Sequence, residues 1–295
     1  MTEISENANP GSDSKSTSTS HTLYVLKENP VTLIAFALFG FYVLSAIFGQ
    51  YLVPFDPLAS DSENILQPPN LKHWFGTDAL GRDVFSRVIS ATRLDLLIAV
   101  SAVAISFVVG SILGSAAGYW GGKLDIILSR TLDTIMAFPI FVLAMGIVAA
   151  LGNTIENIVY ATAIINVPFY ARLVRAEVNI RRNSGFVQSA KLSGNSDLRI
   201  LALQIFPNTL PPMMVQISLN LGWAILNAAG LSFIGLGVRP PTPEWGIMVA
   251  EGANFIVSGE WWLAVFPGLW LMLAVFTFNL LGDGLRDMVD PRQRT

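Results

Sequence analysis

The chain contains no cysteine, and only 13% of its 295 residues are charged. The absence of cysteine excludes a disulfide framework, a thiolate metal site and a cysteine nucleophile. Soluble domains average about 25% charged residues, so about half of the usual charge is missing. Hydrophobic residues make up 52% of the chain, and the net charge of −3 offers no basic surface for nucleic acid. The composition therefore predicts a membrane protein.

Six apolar stretches are long enough to cross a bilayer, whose core of about 30 Å needs about 20 helical residues. The only two histidines fall outside them, so no intramembrane protease motif is present. Asn29-Pro30 supplies an N-cap and a first-turn proline for the first span. We predict an all-α membrane protein with spans at 31–53, 93–118, 125–151, 153–175, 209–236 and 261–281.

The spans divide the chain into four segments. Residues 1–28 form a polar tail that is predicted to be disordered, because it has little apolar surface to bury. Residues 29–92 hold the first span and an external segment, residues 93–285 hold five spans, and residues 286–295 form a short tail. Thirteen lysines and arginines fall on the side of the two termini and five on the other. The positive-inside rule then predicts that both termini are cytoplasmic.

A polar insert separates spans four and five, and its stretch 172–204 carries six of the eighteen lysines and arginines. The pattern predicts a short helix over 186–193, a left-handed or close-approach Gly194, and a second helix over 197–206 that stops at Pro207. Isolated helices of about eight residues are marginal in water, so the first one needs a docking partner. The side chains expected to dock it are Phe186, Val187 and Ala190.

Span five carries a polar face. Four residues fall within about 60° of one helical face: Gln216, Asn220, Trp223 and Asn227. Amides in hydrocarbon need partners, since an unsatisfied polar group there costs several kcal/mol. These residues either line a water-filled substrate path or bond to neighbouring helices, and the sequence leaves both interpretations open.

Small residues recur at every fourth position of span two, at Gly110, Gly114 and Gly118. That spacing lets two backbones approach closely in lipid. The close neighbour is either another helix of this chain, which we favour, or a second subunit. Ahead of this span, the pattern predicts an amphipathic surface helix with one face formed by Val84, Phe85, Val88 and Ile89 and with an Asp83–Arg87 ion pair.

Three carboxylates lie near predicted span ends, at Asp95, Asp133 and Glu156. Intramembrane carboxylates mark proton or ion pathways by default. Asp133 has a closer partner in Arg130, three residues earlier, which favours a structural role. A secondary transporter driven by protons through Asp133 or Glu156 is the alternative that these residues leave open.

The insert resembles the EAA loop of bacterial ABC importer permeases, a Glu-Ala-Ala triplet followed by glycine and, further on, by an apolar residue and Leu-Pro. The chain matches the pattern at Ala190, Gly194 and Pro207 and departs from it at Gln188, Ser189, Gln204 and Phe206. In that family the loop forms a coupling helix that sits in a cleft of the ATPase subunit. The resemblance assigns the coupling role to the insert 176–206, and within it to Phe186, Gln188, Ser189, Ala190, Gly194, Asp197 and Pro207.

Three more regions are similar to the C-type permeases of dipeptide, oligopeptide and nickel importers. Before span two, Ala91 and Asp95 depart from that pattern, where a glycine and a serine are expected. The matching stretches are Gly76-Thr77-Asp78, Gly81-Arg82-Asp83, Ser86-Arg87 and Arg93; 231–237 and 240–246 after span five; and 282–287 with Asp290-Pro291-Arg292 at the C-terminus.

The resemblance implies the type I ABC importer permease fold and a multi-pass subunit of a bacterial inner membrane. It implies four partners besides lipid: a second, B-type permease, two ATP-binding subunits and an extracytoplasmic binding protein. ATP and Mg²⁺ belong to the ATPase subunits, so this chain is expected to be non-catalytic and to bind neither a cofactor nor a metal. The implied function is ATP-driven import of dipeptides, oligopeptides or related small solutes.

Overall fold

The computed structural model describes residues 30–289. The predictions for the tail 1–28, for the N-cap Asn29 and for the motif at 290–292 lie outside the described residues. Within 30–289 the chain is helical and contains no strand, only an isolated bridge between Thr77 and Asp83. Its helices are α1 (Pro30–Leu52), α2 (Val84–Trp120), α3 (Gly122–Ala137), α4 (Ile140–Leu151), α5 (Ile155–Arg181), α6 (Gly185–Leu192), α7 (Asp197–Ile200), α8 (Leu210–Phe233), α9 (Trp245–Ala253) and α10 (Trp262–Val289).

The described residues hold five helical runs that are long and apolar enough to cross a membrane, or six if the bent pair α3 and α4 forms one span. The pair bends by 91° at Phe138-Pro139. Proline has no backbone N–H, and it forces the residue before it out of the helical region. Phe138 accordingly lies in extended backbone with ψ of 144°. The predicted span over 125–151 is therefore not one straight helix, and the predicted six crossings are reached only if this bent pair forms one span.

Helix α2 begins earlier than predicted, at Val84 rather than at residue 93. The predicted surface helix is the first two turns of this membrane helix, and Val84 and Val88 are fully buried. The predicted Asp83–Arg87 pair is also wrong. Asp83 caps the helix by accepting the Ser86 N–H at 2.8 Å. The nearest acid to Arg87 is instead Asp78, at 3.7 Å.

The glycine stripe of α2 packs against α5 of the same chain. A Cβ added at Gly110 would lie 2.6 Å from the Tyr170 Cβ, and one at Gly118 would lie 2.7 Å from the Arg175 carbonyl oxygen. The central Gly114 faces the Ala171 carbonyl more closely still. No real side chain fits such gaps, so the backbones touch along this seam. The interpretation as packing within the chain is confirmed.

The remaining helices close around α2 from its other side. Trp245 at the start of α9 is fully buried, and its indole donates to the Val88 carbonyl at 3.0 Å. The Tyr42 hydroxyl of α1 donates to the Trp270 carbonyl of α10 at 2.8 Å. Because the rings bury large areas and each polar tip finds an acceptor, these contacts hold α9 on α2 and α1 on α10. The segment between α1 and α2 lies beside the start of α10, where the Trp262 indole donates to the Thr77 carbonyl at 3.3 Å.

Candidate functional site

The short helix α6 of the insert is docked on its own chain. Val187 is fully buried and Ala190 is 7% exposed, and both join the apolar cluster that contains Tyr119, Val174 and Val178. This contact supplies the docking that a helix of eight residues needs. Phe186 was expected on the same buried side but is 44% exposed. It precedes Val187 by one residue, about 100° around the helix, and therefore faces outward.

Tyr119, at the end of α2, holds both helices of the insert. Its hydroxyl donates to Asp197 Oδ1 at 2.5 Å. The Lys191 ammonium stands 5.4 Å from the centre of its ring, within the range of a cation–π contact. The sequence shows Tyr119 only as an aromatic residue at a span end, which is typical of membrane interfaces. Nothing in its neighbourhood along the chain indicates this role in positioning the insert.

Gly194 adopts the predicted left-handed conformation, with φ of +78°. The Gly194 N–H donates to the Lys191 carbonyl at 3.0 Å, and the Asn195 N–H donates to the Ala190 carbonyl at 3.2 Å. This pair of bonds is the Schellman motif that ends a helix at a glycine. No atom of the described residues lies within 4 Å of the position that a Gly194 Cβ would take. The backbone conformation therefore favours glycine at position 194, which is open on its outer side.

The predicted stop at Pro207 is wrong, since the chain stays helical from Asp197 to Phe233. After α7, a π turn (Leu201–Ile205) and a 3₁₀ turn (Phe206–Thr209) lead directly into α8. Pro207 lies at the start of the 3₁₀ turn and Pro211 and Pro212 lie in the first turn of α8. At these positions the missing N–H has no required partner. The part of the insert from Asp197 onward and the fifth span are thus one continuous helical run.

The outer surface of the insert combines exposed apolar side chains with the open backbone at Gly194. Leu192 is 91% exposed and Leu198 is 67% exposed, on either side of that glycine. Gln188 and Ser189 are also exposed, and the Gln188 amide donates to the Asn183 carbonyl at 3.1 Å. A contiguous exposed apolar surface with a polar rim is typical of a protein contact.

The four polar-face residues of span five line one cleft. The cleft has a volume of about 240 Å³ and lies between α5, α8 and α10. The structure adds two amides that sequence reasoning missed, Asn166 of α5 and Asn279 of α10. Each is a lone amide in an apolar span, which is the only signal the sequence offers for it. The full lining is Ile140, Asn166, Phe169, Gln216, Leu219, Asn220, Trp223, Asn227 and Asn279.

The hydrogen bonds of these amides stay mostly inside their own helices. Gln216 donates to the Asn220 side chain at 2.9 Å, Asn227 donates to the Trp223 carbonyl at 2.8 Å, and Asn166 donates to the Thr162 carbonyl at 2.7 Å. The buried Asn220 Nδ2 and the buried Tyr170 hydroxyl have no hydrogen-bond partner among the described residues. The cleft therefore contains amide groups with unused donor and acceptor capacity.

The carboxylates that suggested a proton relay do not lie in this cleft. Asp133 is 46% exposed and pairs with Arg172 at 2.5 Å and with Arg130 at 3.8 Å. Glu156 is exposed in the first turn of α5. Asp95 is far inside α2 instead of near a span end, and it accepts the Trp245 N–H at 3.1 Å. Within residues 30–289, no group of three or more His, Asp or Glu side chains could hold a metal ion.

Sequence comparison connects this architecture to a known group of proteins. Residues 110–295 match the family model described as binding-protein-dependent transport system inner membrane component. Residues 19–69 match the N-terminal TM domain of oligopeptide transport permease C.

Three curated relatives are similar over most of the chain. The probable D,D-dipeptide transport system permease protein DdpC of Escherichia coli K12 is 42% identical over 92% of this chain and 90% of its own length. The dipeptide permease DppC of Alkalihalophilus pseudofirmus is 42% identical over 92% and 88%. The glutathione permease GsiD of Escherichia coli O157:H7 is 43% identical over 85% and 82%.

The fold is also similar to that of a solved structure, an inward-facing form of the MetNI methionine ABC transporter. The TM-score is 0.57 at 15% identity, with 69% of this chain and 96% of that chain covered. At that identity the likeness concerns the fold alone. It agrees with the expected type I importer permease architecture.

Proposed function

We propose that this chain, which belongs to the family of binding-protein-dependent transport system inner membrane components, carries short peptides or related solutes across the bacterial inner membrane. It is a multi-pass permease subunit of an ABC importer and is not itself an ATPase. Its proposed partners are a B-type permease, two ATP-binding subunits that hold ATP and Mg²⁺, and an extracytoplasmic binding protein.

One observation carries the proposal: the second helix of the insert, which begins at Asp197, and the amide cleft belong to the same helical run. Asp197 begins this run beside the exposed surface at Gly194, and the run ends at Phe233 beyond the four cleft residues. A displacement of the insert by an ATPase subunit would therefore move α8 along its whole length. Rigid helices transmit such a shift because packed elements change position as units. We assign ATPase contact to the outer surface of 186–198 and the substrate path to the cleft.

The chemistry of the cleft supports a peptide as cargo. A side-chain amide offers both donors and an acceptor, which matches the N–H and C=O of a peptide group. Its lining contains no charged residue. The relatives are named for dipeptide and glutathione transport, and an uncharged amide lining is compatible with varied peptide side chains.

Replacing Gln216 or Asn220 with leucine is expected to change substrate choice. Each substitution removes a hydrogen-bonding group from the cleft, and losing one such bond changes discrimination by about 1–3 kcal/mol, or about fivefold to 150-fold in relative uptake. The measurement is competitive uptake of neutral, acidic and basic dipeptides. Met214→Leu, on an exposed part of α8 outside the cleft, is the control. Unchanged selectivity with reduced thermal stability would instead show that these amides serve packing.

Orientation can be tested with single cysteines, because the natural chain has none. Leu71 is 99% exposed in the segment between α1 and α2, and Leu192 is 91% exposed in the insert. We expect a membrane-impermeant maleimide to label Leu71→Cys in intact spheroplasts and Leu192→Cys only after permeabilisation. Labelling in the reverse pattern would contradict both the proposed topology and the proposed coupling role.

The energy source is tested by reconstitution. Proteoliposomes that contain the co-purified subunits are expected to transport Ala-Ala only when ATP is supplied on the side of the ATP-binding subunits. The binding protein must also be present on the opposite side. A proton gradient without ATP should have no effect. Uptake by this chain alone, driven by a proton gradient and stopped by an uncoupler, would refute the importer assignment.

A further inference from the structure

A second cleft lies at the opposite end of α2 from the insert. It has a volume of about 230 Å³ and is formed by the turn at 78–82, the first turn of α2, and α9. Four charged side chains line it, Asp78, Arg82, Arg87 and Glu251. The rest of the wall is mainly apolar, with Leu80, Val84, Met248, Phe255 and Leu263. This cleft is separate from the amide cleft and has no part in the proposed path.

Arg87 is only 1% exposed and has an unused donor. Its Nη1 donates to the Pro57 carbonyl at 3.0 Å and to the Pro241 carbonyl at 3.3 Å. Its Nε lies 3.7 Å from Asp78 Oδ2, too far for a hydrogen bond. Its Nη2 is buried and has no hydrogen-bond partner among the described residues. Because a buried unpaired donor on a charged group is costly, this nitrogen indicates a missing acceptor.

The acids of the cleft do not supply that acceptor. Asp78 is already engaged, since it accepts the Arg82 Nε–H at 2.7 Å and the backbone N–H groups of Leu80 and Arg82, both at 2.9 Å. Glu251 is 39% exposed, and its Oε2 stands 3.9 Å from Arg82 Nη2. Because this ion pair is long and partly exposed, the Glu251 side chain can move away from Arg82. A ligand oxygen could then meet Arg82 as well as Arg87.

We propose that this cleft binds a carboxylate on a short aliphatic stem, with Arg87 Nη2 as the primary donor and Arg82 as the second. Arginine is the residue type best suited to carboxylates, because its planar fork presents parallel N–H donors. The apolar wall would contact the stem. Glu251 occupies the rim as an internal competitor for Arg82. The proposal rests on the proposed orientation, which places the cleft on the external face, where two carboxylate sources arrive: the C-terminus of a free peptide and an acidic side chain of the binding protein.

The test uses the full chain in lipid nanodiscs, with Asn254→Cys carrying an environment-sensitive fluorophore. Asn254 is exposed at the rim of the cleft. The probes are butyrate and its neutral analogue butyramide at constant ionic strength. We expect saturable binding of butyrate and none of butyramide. Glu251→Gln should tighten butyrate binding about two- to fivefold, the scale of one partly exposed ion pair.

Arg82→Gln should weaken butyrate binding, with size-exclusion chromatography as the check that this variant folds. Because Arg82 also holds Asp78, the proposal depends chiefly on Glu251→Gln, a change at the rim. No response to butyrate, an equal response to butyramide, or weaker binding in Glu251→Gln would overturn it.

The source of the carboxylate is identified by displacement of bound butyrate from the labelled chain in the assembled importer. Displacement by Ala-Ala but not by its C-terminal amide identifies a free peptide. Displacement by the binding protein, at concentrations where free Ala-Ala has no effect, identifies an acidic side chain of that partner. If the Asn254→Cys thiol reacts only from the cytoplasmic side, the proposed orientation is refuted but the affinity for butyrate is not. A failure of the orientation and a failure of the carboxylate site are therefore distinguishable.

Discussion

Replacing Gly194 with glutamate is expected to abolish transport while leaving membrane insertion intact. A residue with a side chain in the left-handed conformation at φ of +78° costs about 1–2 kcal/mol, which is too little to unfold the chain. Because nothing among residues 30–289 lies within 4 Å of the new Cβ, the glutamate side chain has room to extend toward the proposed partner surface. Uptake should fall at least about tenfold, since an unmatched charge in a protein interface costs several kcal/mol.

Two variants separate the backbone effect from the partner effect. Gly194→Asn should retain most of the uptake, because asparagine tolerates the left-handed region. Gly259→Glu is the matched control, since Gly259 also has a positive φ, +108°, and open space around its Cβ position, but it lies far from the insert. The measurement is ATP-dependent uptake normalised to the amount of chain in the membrane. Normal uptake by Gly194→Glu would refute the coupling role of this surface.

Gly114→Val is expected to prevent formation of a stable folded chain. The position for its Cβ lies against the Ala171 carbonyl of α5, and a backbone atom cannot move aside as a side-chain tip can. Helices α2 and α5 would have to separate along their seam. Overpacking a core typically costs about 1–3 kcal/mol, and we expect the upper end or more here.

The matched control is Gly40→Val in α1, another membrane helix, where no atom from the described part of the chain lies within 4 Å of the added Cβ. Both variants add the same group to a helical glycine in an apolar span. The measurement is the amount of monodisperse chain that survives a series of heating steps before size-exclusion chromatography. Equal survival of the two variants would show that the seam is not tightly packed.

The sequence was sufficient to predict those features that depend on a single helix or a single turn. The polar face of span five follows from a period of 3.6 residues, so the common cleft of Gln216, Asn220, Trp223 and Asn227 was predictable. The conformation of Gly194 follows from the special backbone freedom of glycine between two helical segments. In both cases the local pattern and the tertiary structure agree.

The sequence was insufficient where the outcome depends on residues that are distant along the chain. The Tyr119–Asp197 hydrogen bond joins positions separated by 78 residues, and Asn166 and Asn279 reach the cleft only through helix packing. The effect of each proline on its helix was hard to predict for a different reason. Pro139 stands at a break of 91°, whereas Pro207 lies in a turn that continues the helix. The helix continues at Pro207 because neighbouring π and 3₁₀ turns can accommodate a missing N–H.

The π turn at Leu201–Ile205 affects the direction in which the side chains of the insert's second helix point. Along a helix, each residue advances the direction of the next side chain by about 100°. The number of residues between α7 and α8 therefore fixes the direction in which the exposed Leu198 points relative to α8. A chain shorter by one residue at this turn would keep Leu198 but would rotate its side chain by about 100° relative to α8. The proposed fit to an ATPase subunit would therefore depend on the length of this turn as well as on the side chains that the surface presents.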